Sequence, residues 1–154
     1  MAYTYRLTAL ALLLSAAACS AEPTAPVPGR SEAPPAAPAP LSGSDRAAAP
    51  GITQKFTDAA NKGDSPGVAA TFAEQARFDS VGRIFPSREA IMSRFIDPEV
   101  IGVGGRYEIT GARWAGDRYV VDYRFTTRSG GEEIFYYAFL VRDGLIRDVL
   151  GRYR

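Results

Sequence analysis

The chain contains no histidine and a single cysteine among its 154 residues. Without histidine, Ser-His-Asp and Cys-His catalysis are excluded. With one cysteine, an intrachain disulfide and a zinc site of the usual Cys/His kind are excluded as well. An excess of one charge sign is also missing, with 18 basic residues against 17 acidic ones. Nucleic-acid binders carry a basic stripe, so no nucleic-acid partner is expected. Sixteen of the 18 basic residues are arginine, interleaved with acids along the chain. Proline and the aromatics are each scarce in one part of the chain. Eight of 11 prolines fall between Pro23 and Pro50, and 15 of 17 aromatics lie from Phe56 onward. That division separates a segment unable to build a core from one able to.

Residues 1–18 begin with a short basic start around Arg6 and continue as an uncharged Leu/Ala stretch from Leu7 to Ala18. The stretch is shorter than the ~20 apolar residues needed to span a bilayer. It has the layout of a secretory signal, with small residues before a cleavage site. The sole cysteine, Cys19, stands immediately after Ala16-Ala17-Ala18. This arrangement resembles the bacterial lipobox, although Ala16 replaces the usual leucine. The resemblance implies that Cys19 is lipidated, becomes the mature N-terminus and anchors the exported protein to the membrane. Residues 19–50 follow as the anchor and a Pro/Ala-rich tether, whose composition offers too little apolar surface to offset ordering entropy.

Residues 51–154 form the expected folded domain, with 15 basic and 14 acidic groups. Ile52, Phe56, Ala59 and Ala60 fall at helical spacing, and Asn61-Lys62-Gly63-Asp64 stops the helix. Ser65 and Pro66 suit the start of a second helix carrying Val68, Phe72 and Ala76. Arg77-Phe78-Asp79 reads as a short extended piece. Ser87 caps a third helix with Ile91 and Phe95, which Pro98 is expected to end. Four strands follow in a meander: Arg106–Trp114 around a weak Gly111, then Tyr119–Thr126, Ile134–Val141 and Leu145–Tyr153. Turns at Ala115-Gly116-Asp117, Ser129-Gly130-Gly131 and Asp143-Gly144 separate them. The predicted class is α+β, with three helices on one face of a curved antiparallel sheet.

Four segments carry a family resemblance: Phe56–Asp64, Val68–Phe78, Ser87–Ile91 and Asp143–Ile146. In that order they resemble the nuclear transport factor 2-like superfamily, the cone fold of SnoaL-like cyclases and ketosteroid isomerases. The resemblance covers all of residues 51–154 and implies a cavity inside the cone. The isomerase roles do not carry over. The helix tyrosine falls on Phe56, the general base on Ser80 beside Asp79, and the second oxyanion donor on Tyr137. The cyclases commonly use Asp and His, and this chain has no His. An Asp-Arg-Asp set, as in epoxide hydrolases of the fold, would involve Asp122, Arg124 and Asp148. A cross-strand charge pair on the solvated sheet face accounts for those residues more simply.

The expectation is therefore a non-catalytic module at the cell envelope, binding a small ligand or another protein. The alternative is a SnoaL-like isomerase, cyclase or hydrolase using Asp79, Asp122 or Asp148 with Tyr137. The expected pocket lining is Phe56, Phe72, Phe78, Tyr123, Phe135, Tyr137 and Phe139, suited to an apolar ligand. The same rings could instead fill a core. The opposite strand face carries Ile134, Tyr136 and Leu140, which predicts a homodimer or an envelope partner docked there. No metal and no cofactor is expected.

Overall fold

The computed structural model describes residues 39–154; Cys19, the signal segment and most of the tether lie outside the described residues. Helix α1 spans Gly43–Lys62, and the short α2 spans Ser65–Ala69. Strands β1 (Phe72–Ser80) and β2 (Arg83–Phe85) form a hairpin. Helix α3 (Arg88–Ile91) continues as a π-helical stretch, Met92–Ile101. Strands β3 (Arg106–Ala115), β4 (Arg118–Thr126), β5 (Glu132–Arg142) and β6 (Leu145–Tyr153) complete the chain. The six strands form one curved, unclosed sheet in the order β2-β1-β6-β5-β4-β3, with the helices packed on it. This is the α+β cone the sequence predicts.

The structure corrects several boundaries. Helix α1 begins at Gly43, inside the stretch assigned to the tether, whose limit at residue 50 is therefore too late. The Ser42 hydroxyl accepts the Asp45 N–H, which is an N-cap. The Arg46 guanidinium lies 4.2 Å from the Trp114 ring centre and donates to the Gly116 carbonyl at 2.9 Å. Ala49, in the same stretch, is buried. Tertiary contacts thus hold a helical turn whose composition argues against one. Pro50 sits within the helix and supplies no N–H to the fourth residue before it.

The second helix is shorter than its apolar spacing suggests. Residues 72–80 are extended, so Phe72 and Ala76 belong to β1. A bulge between Phe72 and Arg77 breaks the alternation of this strand and mimics helical spacing. Asp64, not Ser65, caps α2 by accepting the Gly67 N–H. The Ser65 hydroxyl instead donates to Asp97 at 2.7 Å. Pro98 does not end the third helix. The π-helical stretch passes through it, and i−5 bonds such as Gly102 N–H to the Asp97 carbonyl close the last turn at 2.8 Å.

The sheet is antiparallel except where β6 inserts beside β1, a parallel pairing. The Asp143-Gly144 turn joining β5 to β6 has φ of 54° and 69°, as a two-residue hairpin turn requires. Gly111 sits at a bulge in the β3–β4 pairing. Alternation then assigns the two faces. Tyr123, Phe125, Phe135, Tyr137, Phe139 and Val149 point inward and are buried. Their neighbours in sequence, among them Asp122, Arg124 and Tyr136, point outward, as does Arg152 next to Gly151.

Candidate functional site

One end of the cone interior is solid. Phe56 from α1 is fully buried, with its ring 5.8 Å from Phe72, 5.8 Å from Phe139 and 5.8 Å from Tyr107. Phe72, Phe78, Tyr123 and Phe139 are likewise fully buried. The Tyr123 hydroxyl shares a 2.9 Å hydrogen bond with Thr57. Phe56, Phe72, Phe78 and Phe139 are linked ring to ring, and Tyr123 packs against Tyr107, Phe135 and Tyr137; none of these five residues, all expected to line a pocket, lines the recess described next. Closely packed rings at this density leave no space for a ligand.

The other end is open. A recess of about 360 Å³ lies between the β1–β2 turn, the π-helical stretch and the outer ends of β3 to β6. Of the expected lining residues it uses Phe135 and Tyr137. Phe95, Tyr107, Phe125 and Tyr153 complete the aromatic lining, to which Ser80 also contributes. Two glycines make room for these rings. A Cβ on Gly105 would fall 2.4 Å from the Phe125 ring, and one on Gly151 would fall 2.9 Å from the Tyr137 ring. Tyr107 is held by Asn61 at the end of α1, which bonds both its N–H and its carbonyl, at 2.7 Å and 2.9 Å.

The floor of the recess carries two hydroxyls, Tyr107 and Tyr137, 3.5 Å apart. Burial pushes both phenols well above their ordinary ionisation range, so both are neutral donor–acceptor groups at physiological pH. At the rim, Arg83 forms a two-pronged pair with Glu99 at 2.7 Å and 2.5 Å. The hydrogen bonds from Arg83 hold the Glu99 carboxyl below the usual carboxylate range. Glu133 also lines the recess, and it has no ion-pair or hydrogen-bond partner among the described residues.

The three aspartates considered for catalysis lie elsewhere. Asp79, Asp122 and Asp148 all occupy the outer sheet face, opposite Tyr137, and each is held by arginines. Asp79 is buried and accepts from Arg152 at 2.9 Å and 3.2 Å. It also accepts the Gly82 N–H at 2.7 Å, which fixes the β1–β2 turn where Val81 takes a φ of 52°. The Arg152 hydrogen bonds, above all, hold the Asp79 carboxyl below its ordinary range against the cost of burial. Asp148 pairs with Arg77 and Arg118, and Asp122 with Arg113 and Arg154. Arg124 pairs with Glu108 and Glu132, not with Asp122. An Asp-Arg-Asp set inside the cone is therefore not formed. Of the four catalytic candidates, Tyr137 alone reaches the recess. Among the described residues no group of three His, Cys, Asp or Glu side chains is arranged to hold a metal ion.

The proposed dimer residues share this outer face. Ile134 is 51% exposed, and Tyr136 and Leu140 are half-buried. The Arg154 guanidinium sits 5.3 Å from the Tyr136 ring centre. No described helix is long and apolar enough to cross a membrane.

A second recess, of about 380 Å³, lies on the far side of Thr127 and is walled by Lys62, Arg106 and Arg128 without an aromatic side chain.

No known family profile matches the chain, and no curated protein does. Solved structures do match it. A nuclear transport factor 2-like protein of unknown function from Mesorhizobium loti superposes with a TM-score of 0.63 at 20% identity, over 75% of this chain and 99% of that one. A candidate polyketide cyclase from Sinorhizobium meliloti gives 0.61 at 23% identity, over 67% of this chain and 94% of that one. A computationally designed 17-OHP binder gives 0.61 at 18% identity, over 70% and 91%. At these identities the likeness establishes the fold, which is the nuclear transport factor 2-like cone. The cone hosts many chemistries, so the site must carry the functional argument.

Proposed function

We propose that this chain is an exported, lipid-anchored module of the bacterial cell envelope that binds a small apolar molecule in the mouth of its cone without transforming it. The observation that carries the reading is the division of polar groups between the two sheet faces. The recess offers aromatic walls and two neutral hydroxyls, while the aspartates sit outside it in arginine pairs. Acid–base catalysis needs a proton donor and acceptor converging on one ligand, and the recess holds one unpaired carboxylate, Glu133. The designed 17-OHP binder is an example of this fold serving as a binder. The volume of about 360 Å³ lies at the lower end of the range for small-molecule sites.

Lipidation at Cys19 would hold the domain at the membrane, and exposed Ile134 beside Tyr136 would seat a second copy or an envelope partner. Native mass spectrometry of the mature protein tests binding and assembly together. A ligand adduct of a few hundred daltons is expected, and a dimer that Tyr136→Ala weakens. A bare monomer that takes up no apolar compound would refute both. Cys19→Ala is expected to move the protein from the membrane to the soluble fraction. The enzymatic alternative, a SnoaL-like isomerase, cyclase or hydrolase, would require turnover of the bound compound and its loss in Glu133→Gln.

A further inference from the structure

The charge balance at the cone mouth leaves one group without a partner. Four ionisable side chains other than tyrosine line the recess: Arg83, Glu99, Glu133 and Arg152. Arg83 and Glu99 cancel each other through their two-pronged pair. Arg152 pairs with Asp79 on the outer face, a carboxylate that Arg77 also approaches at 3.4 Å. Glu133 remains. It faces Phe125 across the β4–β5 pairing and lies on the same strand face as Phe135 and Tyr137, one step nearer solvent. The negative charge is felt within the recess, since it adds to the effect of burial in raising the phenols of Tyr107 and Tyr137.

The walls beneath that carboxylate are aromatic. Phe135 and Tyr137 lie 4.8 Å apart, and Tyr107 lies 4.9 Å from Phe125 and 6.2 Å from Tyr137. The faces of such rings carry negative quadrupole charge and attract a cation within about 6 Å. A single uncompensated carboxylate above an aromatic wall disfavours an anionic ligand and favours a cationic one. The tyrosine hydroxyls contribute acceptor lone pairs of the same sign.

We propose that the ligand of this recess is an organic cation, an apolar body bearing an amine or quaternary ammonium group that sits between Glu133 and the rings of Tyr107, Phe125, Phe135 and Tyr137. The inference rests on the reading of the recess as a small-molecule site and narrows it to one charge class.

The test is calorimetric titration of the full-length mature protein with three matched probes: benzyltrimethylammonium, its uncharged isostere neopentylbenzene, and phenylacetate. The cation is expected to bind about tenfold more tightly than the neutral isostere, with phenylacetate weakest. Glu133→Gln should remove most of that preference, bringing the cation's affinity close to that of the neutral isostere. Raising the salt concentration should weaken the cation alone. Equal affinity for cation and isostere, or a preference unchanged in Glu133→Gln, overturns the charge assignment but leaves the recess a binding site. Binding of none of the probes, nor of a wider panel of neutral apolar compounds, overturns the binding reading itself.

Discussion

The two ends of the cone interior use the same residue type for opposite purposes. At the closed end, Phe56, Phe72 and Phe139 are fully buried and meet edge to face, filling the space between α1 and the sheet. At the open end, Tyr107, Phe125, Phe135 and Tyr137 are nearly as buried yet wall a space of about 360 Å³. The rings differ in what lies opposite them. The closed end is covered by a helix that supplies its own phenylalanine. The open end faces the π-helical stretch, whose Phe95 lines the recess, while Gly105 and Gly151 let the Phe125 and Tyr137 rings lie close against the backbone. An aromatic-rich strand face therefore does not by itself tell core from pocket; the covering element decides.

Substitutions at the two ends should separate these roles. Phe56→Ala is expected to have the largest effect, about 3–5 kcal/mol of lost stability, because it opens a void that no neighbour can fill. Phe135→Ala at the mouth should cost about half as much, since its void joins a space already open, and it should weaken ligand binding. Urea denaturation of both variants measures the difference. Equal losses would show that the mouth is packed as tightly as the apex.

The outer face supplies a second contrast, between a buried and an exposed ion pair. The folded-state pKa of Asp79 is depressed by Arg152, so its contribution to stability is present above the unfolded value of about 3.9. That contribution is lost as pH falls from there through the depressed folded value. Asp79→Asn should therefore be less stable than the parent at pH 7, and the gap should narrow as pH is lowered from 5 towards 2. A gap that stays constant across that range would show that the carboxylate acts through the β1–β2 turn and not through its charge. The smallest effect is expected for Arg124→Ala. Its pairs with Glu108 and Glu132 are largely exposed, and loss of such surface pairs changes stability by about 0–1 kcal/mol.

Much of this architecture is legible in the residues. The alternation from Arg118 to Thr126 and the Asp143-Gly144 turn specify β4 and the last hairpin to within a residue or two. The start of α1 is not legible, because Gly43–Pro50 reads as tether. What holds it is Trp114, more than 60 residues away, and no local signal announces that contact. The bulge in β1 hides its period in the same way and lends Phe72 and Ala76 a helical spacing. At the site, Phe135 and Tyr137 were accessible from strand alternation. Alternation identifies the inner face but not which end of each strand is the mouth. Phe125 and Tyr107 share that face with Tyr123, and only the strand register sets them beside Phe135 and Tyr137. The outward direction of Asp79 follows from its place next to Phe78, whose ring is fully buried on the inner side.

The parallel pairing of β6 with β1 also constrains the order in which the molecule can be assembled. The strand made last of the six lies between β1 and β5, joining the β1–β2 hairpin to the β3–β5 meander. Until Leu145–Tyr153 has been synthesised, Phe78 and Phe139 have no Val149 between their strands, and the two halves of the sheet share no backbone ladder. One ladder of the five, β1 with β6, is therefore long-range and late, and it is the one that unites the sheet; non-local pairing of this kind slows folding. Until then the β1–β2 hairpin and the β3–β5 meander are two separate pieces of sheet.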